Sequence, residues 1–348
     1  MTVGFAFLLS AVLTAAVIRL AGKLNIYDLN NHLKVHVERV SPLGGVGIFT
    51  GCWVVLLAFL SDSLPREYQF LLSGSLLLFL IGIKDDLVGI PALRRLLYQV
   101  GIALLLAWSG VRIAEIPGLG LTMPAWAGMM VTVGLTVGVI NAFNFMDGIN
   151  GLVGGLSVIS ALAFGWMFHR AGMETESMAA FGLAGSALGF LVFNFGRAKI
   201  FMGDNGSTFI GFLFSFLAIR MLGSGTAVGS KASEFLLPLF PLLLPLGDMA
   251  KVVLWRIKRG YSPFRGDRTH IHHLVCALGF GHRGASLLLY GWHLAVIATG
   301  LFLAPEIRPT VSAILLPLLA FAPYVAIHLH GRTQRIRRDV PLETSGSV

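Results

Sequence analysis

The sequence predicts an all-α, polytopic integral membrane protein with about eleven transmembrane helices. Three observations lead there. Hydrophobic residues fill 55% of the 348 positions and charged residues only 12%, with a mean hydropathy of +0.79, more apolar surface than a soluble domain of this length can bury. Apolar runs of about 20 residues, the length that crosses a bilayer core, recur between polar breaks along almost the whole chain. The basic residues fall lopsidedly on one side when those runs are threaded alternately through a membrane.

In chain order the predicted spans are 2–22, 44–61, 69–84, 92–110, 124–142, 151–169, 178–195, 207–222, 234–255, 286–304 and 311–330. No stretch between them is long enough for a separate soluble domain. The chain therefore reads as one transmembrane domain, 1–348, with a loop at 256–284 and a basic tail at 331–348. The first run follows Met1 with no basic segment before it and no convincing cleavage site, so it is expected to be an uncleaved span. Small residues four apart, Gly47 and Gly51, Gly134 and Gly138, Gly185 and Gly189, predict close helix approach. Pro238, Pro241 and Pro245 precede Asp248 in the ninth span and predict a kinked or broken helix whose freed backbone faces protein or a cavity.

An odd number of spans puts the termini on opposite sides. Twenty of the 26 Lys and Arg residues then share the side of the C-terminus, which makes that side the cytoplasmic face and leaves the N-terminus outside. The net charge of +9 is thus mostly topology. A nucleic-acid partner would need a folded, basic, aromatic-bearing surface, which the chain lacks. Cys52 and Cys276 have no sensible partner and suggest neither a disulfide framework nor a metal site.

The acids divide by side as well. Eight of ten on the expected cytoplasmic side are Asp, against one of seven on the other. Short carboxylates at span ends suit fixed metal or phosphate geometry better than solvated decoration. Asp85 and Asp86 end the third span in GIKDDLVGI; on a helix their side chains diverge by roughly 100°, which predicts different roles. The stretch NAFNFMDGINGL, 141–152, gathers Asn141, Asn144, Asp147 and Asn150. FMGDNGSTFIGF, 201–212, brings Asp204. Both put Asp and Gly at a helix start, where exposed N–H groups attract anions; Ser207 or Thr208 is the alternative, as an ordinary N-cap.

The loop SPFRGDRTHIHHL supplies Arg265, Arg268, His270, His272 and His273. Its arginines favour phosphate recognition by bidentate donors over zinc, for which Cys276 is a weak fourth ligand. Acids at three span ends plus this loop describe a Mg²⁺-assisted site for a phosphorylated substrate, with Mn²⁺ as the substitute ion.

In order along the chain, the early GG after His36 and Pro42, the DD at Asp85 and Asp86, NxFNFMDGxxG at 141–151, FMGDxGS at 201–207 and DRxHIHHL at 267–274 resemble the polyprenyl-phosphate N-acetylhexosamine-1-phosphate transferases, glycosyltransferase family 4. HIHH after SPF and DR is similar to the branch that starts O-antigen, common antigen or teichoic acid on undecaprenyl phosphate, whereas the muramoyl-pentapeptide branch, the runner-up, has three consecutive histidines. Two departures stand out: Asn150 where bacterial relatives often have a second Asp, and NIYDLNNHLKVH in place of DxPNxRKxH, with Asn30 for Pro and Leu33 for Arg.

The resemblance implies transfer of a sugar 1-phosphate, GlcNAc-1-phosphate as the leading candidate, from a UDP-N-acetylhexosamine to undecaprenyl phosphate at the bilayer surface, with release of UMP. It makes Asp204 the metal ligand and Asp85, Asp86 and Asp147 the catalytic acids. Asn141, Asn144, Asn150, Lys199, Arg265, Arg268, His270, His272 and His273 become substrate-binding candidates, and a homodimer is compatible with it. A secondary transporter would instead keep its ionisable groups near mid-membrane in symmetric broken helices, and a scaffold would not need an Asp and Asn cluster at each short turn.

Overall fold

A computed structural model describes residues 1–27, 40–59, 64–116, 121–223, 232–263, 269–303, 306 and 309–339. Twelve helices run through them: α1 Thr2–Leu24, α2 Gly45–Phe59, α3 Arg66–Val88, α4 Ala92–Trp108, α5 Ala125–Met146, α6 Leu152–Arg170, α7 Glu174–Asn194, α8 Gly203–Gly223, α9 Leu243–Lys258, the short α10 Ile271–Ala277, α11 His282–Leu303 and α12 Pro309–Asp339. A two-residue ribbon, β1 Glu115–Ile116 against β2 Leu121–Thr122, joins α4 to α5.

Eight helical stretches among the described residues are long and apolar enough to cross a membrane, and α2 is a shorter apolar helix. Their burial grades from inside to outside. In α8, 89% of the apolar window is buried within the protein, against 17% in α1 and in α12. α8 is therefore the central post, packed on α2, α3 and α5, while α7 holds α1, α2 and α6. Leu8, Trp126, Leu288, Phe302 and Leu318 are among the exposed apolar side chains, as expected where lipid rather than water is the solvent.

Close approach to the post is what the small residues provide. A Cβ on Gly82 of α3 would run into the backbone of Asp204 and Asn205. Gly47 and Gly51 face Ser10, Thr14 and Ser186, and Gly185 and Gly189 face the backbone of α1, so two of the three predicted pairs lie at helix contacts. The third does not: Gly134 has nothing within 4 Å of its Cβ position and Gly138 only the Met249 methyl at 3.8 Å. Four-residue spacing is an intrinsic i, i+4 pattern and does not say which face a helix turns inward.

The proline-rich segment breaks as expected. Ala232–Leu242 is a 3₁₀ helix containing Pro238 and Pro241, followed by α9. The Pro241 carbonyl takes the Ser160 hydroxyl at 2.7 Å, and the same hydroxyl meets His293 Nε2 at 2.8 Å. The Pro241 carbonyl, freed because Pro245 has no N–H, is thus satisfied inside the protein.

Helix direction gathers the polar residues. α3, α5, α7 and α9 end, and α4, α6, α8 and α11 begin, at one end of the bundle. At the other end Arg220 donates to Glu176 at 2.6 Å and stands 3.7 Å from Glu67. Replacing Gly82 by Val is expected to wedge α3 from α8, costing about 1–3 kcal/mol or preventing folding, whereas Gly134→Ala is neutral; thermal unfolding of the detergent-purified variants checks both.

Candidate active site

A cavity of about 500 Å³ opens at that end of the bundle, lined by Asp85, Asp86, Arg95, Asp147, Asn150 and Asp204 and, among others, by Gly148, Asn194, Phe201, Gly203 and His282. The four aspartates arrive on three separate turns.

Asp85 and Asp86 split their roles, as the helical divergence predicts. Asp86 turns into the start of α8: its carboxylate accepts the backbone N–H of Asp204 at 2.8 Å, that of Asn205 at 3.1 Å and the Asn205 side-chain amide at 2.5 Å. The anion drawn to this helix N-terminus is therefore a side chain of α3. Ser207 and Thr208 are not the caps; their hydroxyls donate back to the carbonyls of Gly203 and Asp204. Gly203, at φ +74°, has no Cβ because one would meet Pro42 O and the Asp86 carboxylate. The SPLGG segment lies alongside: Phe201 N–H donates to Ser41 O, Gly44 N–H to Phe201 O, and the Asn205 amide to Pro42 O.

Asp85 faces the other way. It accepts the Ile90 N–H at 2.6 Å and one nitrogen of Arg95 at 2.9 Å. The same Arg95 nitrogen reaches Asp204 at 2.7 Å. Asn144 donates to the other Asp204 oxygen at 2.7 Å and to Ser207 at 3.0 Å. Asn141 lies one turn deeper and bonds Gln99 of α4 at 2.6 Å.

Asp147 closes α5, half-buried at the cavity wall, with its carboxylate near those of Asp204 and Asp86. Burial first, then the two neighbouring carboxylates, push its pKa up to about 7, against a backbone hydrogen bond from Gly203 that lowers it. The following turn is tied down: the Asn150 amide donates to Gly196 O at 2.7 Å, Gly151 N–H to Asn194 at 2.7 Å, Ser286 to Asn150 O at 3.1 Å, and Tyr290 to Gly151 O. Asn150 thus holds the turn while lining the cavity.

The histidine loop packs on this turn. His270 Nδ1 bonds the buried Asp248 at 2.6 Å, with Ile271 N–H and the Tyr324 hydroxyl on the second Asp248 oxygen. A carboxylate only accepts, so Nδ1 carries the proton. His272 lies under Gly148, 1% exposed, and neither ring nitrogen has a partner among the described residues. Burial, then His273, drives its pKa down to about 3, so it offers a hydrogen bond rather than a charge at neutral pH. The His273 ring lies 4.3 Å from that of His272. Lys199 is exposed and outside the cavity lining. Arg265 and Arg268 lie outside the described residues.

Arg95, Gln99, Asn194, Asn205 and His282 enter the site without having been singled out in the sequence. Arg95 and Gln99 carried a signal, two polar residues four apart on one face of a helix whose only other charged residue is Arg94.

Magnesium takes one or two carboxylates plus substrate phosphates rather than an all-protein cage. Among the described residues no group of three His, Cys, Asp or Glu side chains forms such a cage, while Asp85 and Asp204 offer hard oxygens that a single cationic nitrogen already bridges. The donor set fits the ion on those terms.

Fold and cavity define a class, a polytopic membrane protein with an acidic site at one end of its helix bundle, and known proteins narrow it. The family model for glycosyl transferase family 4 matches residues 68–222. The chain is 35% identical over 295 residues to a decaprenyl-phosphate N-acetylglucosaminephosphotransferase of Mycolicibacterium smegmatis, covering 76% of this chain and 72% of that protein. It is 33% identical to an undecaprenyl-phosphate alpha-N-acetylglucosaminyl 1-phosphate transferase of Yersinia pestis, covering 82% and 79%. A probable undecaprenyl-phosphate N-acetylglucosaminyl 1-phosphate transferase of Bacillus subtilis is 31% identical, covering 80% and 77%. The chain belongs to the polyprenyl-phosphate N-acetylglucosamine-1-phosphate transferase family.

Two outcomes follow from this geometry. Asp86→Ala leaves the first amides of α8 unanswered and is expected to lower stability by about 1–3 kcal/mol, while Asp86→Asn, which keeps one acceptor, loses less; thermal unfolding ranks them. His272 must be charged when the chain unfolds in acid but is neutral when folded. Its contribution therefore disfavours the folded state as pH falls from about 6.5 toward 3, by up to about 1.4 kcal/mol per unit, and His272→Gln is expected to flatten the acid limb of a melting-temperature profile.

Proposed function

We propose that this chain transfers N-acetylglucosamine 1-phosphate from UDP-N-acetylglucosamine to undecaprenyl phosphate or a similar polyprenyl phosphate, releasing UMP, at the cytoplasmic face of a bacterial inner membrane crossed eleven times. The observation that carries the reading is the meeting of four aspartates and Arg95 in one open cavity at the end of the bundle, in a chain of this family.

An acceptor oxygen of the lipid phosphate forms a bond to the sugar-bearing phosphorus of the donor while that phosphorus loses its oxygen to UMP. With a second pKa near about 6 the lipid phosphate is largely dianionic at neutral pH, so it needs little help from a base. The difficulty is repulsion between dianion and diphosphate, which makes charge neutralisation and alignment the main work of the site. Mg²⁺, held by Asp204 with Asp85 next to it, would supply neutralisation of the diphosphate.

The remaining roles belong to the chain. Asp86 fixes the start of α8 and with it the direction of the Asp204 carboxylate. Asn144 holds the second Asp204 oxygen. Asp147, poised near neutrality, faces the reacting groups as acceptor or donor of a proton. His272, buried under Gly148 and outside the cavity lining, supports the turn that carries Asp147, while Arg265 and Arg268 fit binding of the diphosphate or departing UMP by their chemistry. His270 anchors the loop through Asp248.

Purified protein given UDP-N-acetylglucosamine, a polyprenyl phosphate and Mg²⁺ should release UMP, and EDTA should stop it. Asp204→Asn should lower turnover at least about 100-fold, the scale of losing one preorganised electrostatic contact. No UMP with any UDP-N-acetylhexosamine sinks the enzyme reading, and normal turnover in Asp204→Asn removes the metal assignment.

A further inference from the structure

We infer that Arg95 is an internal counter-cation that occupies the divalent ion's seat between Asp85 and Asp204 and yields it when the ion binds. The inference rests on the magnesium reading proposed above. Its basis is one atom: a single guanidinium nitrogen lies 2.9 Å from an Asp85 oxygen and 2.7 Å from an Asp204 oxygen. Arginine usually meets a carboxylate with two nitrogens side by side. Here one nitrogen bridges two carboxylates, which is how a metal ion bridges them.

The surroundings make the exchange physically reasonable. Asp85 and Asp204 are 9% and 24% exposed at the side chain, so their charges are poorly screened and call for a compensating positive charge. Arginine cannot shed its proton to leave; it has to move. Its side chain is 33% exposed and borders the cavity of about 500 Å³, which gives the guanidinium somewhere to go. At the same place a divalent ion attracts each carboxylate twice as strongly as a guanidinium does. The second Asp204 oxygen is held by Asn144, not by Arg95, and the first turn of α8 is held by Asp86, so Asp204 keeps its place during the exchange. Once displaced, Arg95 stands in the cavity as a free cation beside the substrate phosphates.

Such a competitor weakens metal affinity, and removing it should strengthen it. Mn²⁺ titrated into full-length detergent-purified protein and followed by the electron paramagnetic resonance of the free ion gives the dissociation constant without any turnover. Arg95→Gln should bind Mn²⁺ about tenfold more tightly than the wild type, equivalent to about 1.4 kcal/mol. Its melting temperature should be lower without Mn²⁺ and rise more than the wild type's on adding it, whereas a purely structural arginine would leave the Mn²⁺-induced rise unchanged. Phenylglyoxal labelling of Arg95 in the wild type, read by mass spectrometry, should increase when Mn²⁺ is present, a measurement that does not depend on the variant folding. Unchanged or weaker Mn²⁺ binding by Arg95→Gln, or labelling that ignores Mn²⁺, overturns the inference. A wild type that binds no Mn²⁺ overturns the magnesium reading beneath it.

Discussion

The cavity at the end of the bundle is itself short of positive charge, with Arg95 the one Lys or Arg in its lining among the described residues, and most of its architecture answers that shortage. Asp85, Asp86, Asp147 and Asp204 converge there with Arg95 as the single cation bonded to them among the described residues. Each acid meets a different compensation. Asp86 uses the partial positive charge and free amides of the α8 N-terminus. Asp85 and Asp204 share one arginine. Asp147 has one backbone amide, from Gly203, which desolvation and two repelling carboxylate neighbours outweigh, pushing its pKa up to about 7. What remains uncompensated is negative charge on hard oxygen, in a family whose substrates are phosphates. Such a site repels a phosphate electrostatically unless positive charge is added to it.

That arrangement depends on α8 being central. A helix buried along nearly its whole length has little freedom to tilt, so a carboxylate on its first turn is positioned by the packing of α2, α3 and α5. Gly82 and Gly203 let α3 and the SPLGG segment come close enough for Asp86 to reach the helix start. The histidine loop is fixed by different means. His270 is committed to Asp248 and is a strut rather than a ligand, while the neighbouring His272, buried and uncharged, faces the Gly148 turn. The sequence HIHH thus contains histidines with unlike chemistry.

Much of this was legible in the amino-acid sequence because membrane helices write their pattern in composition. Apolar length marks the long helices, prolines marked the 3₁₀ break before α9, and carboxylates at helix ends marked the turns that meet. What sequence could not supply was direction across the bundle. Helical divergence separates Asp85 from Asp86 but does not say that one caps α8. Ser207 and Thr208 have the chemistry of caps, yet a carboxylate from another helix took the position, since a full charge outbids a hydroxyl at a buried helix start. Arg95 reads as one of many basic residues at a membrane surface until α4 and α8 are side by side. Gly134 and Gly138 show the converse, a packing pattern on a face that packs against almost nothing.

The central claim, that a divalent cation makes up the missing positive charge at Asp204 and Asp85, is open to a direct look. Anomalous diffraction at the manganese absorption edge, from crystals of the protein grown with Mn²⁺ and UDP-N-acetylglucosamine, locates the ion independently of any assay. The account predicts one strong peak in bonding distance of Asp204, beside Asp85, with the Arg95 guanidinium withdrawn into the cavity. A peak on the histidine loop instead, or an Arg95 bridge left intact beside an occupied metal site elsewhere, would contradict it.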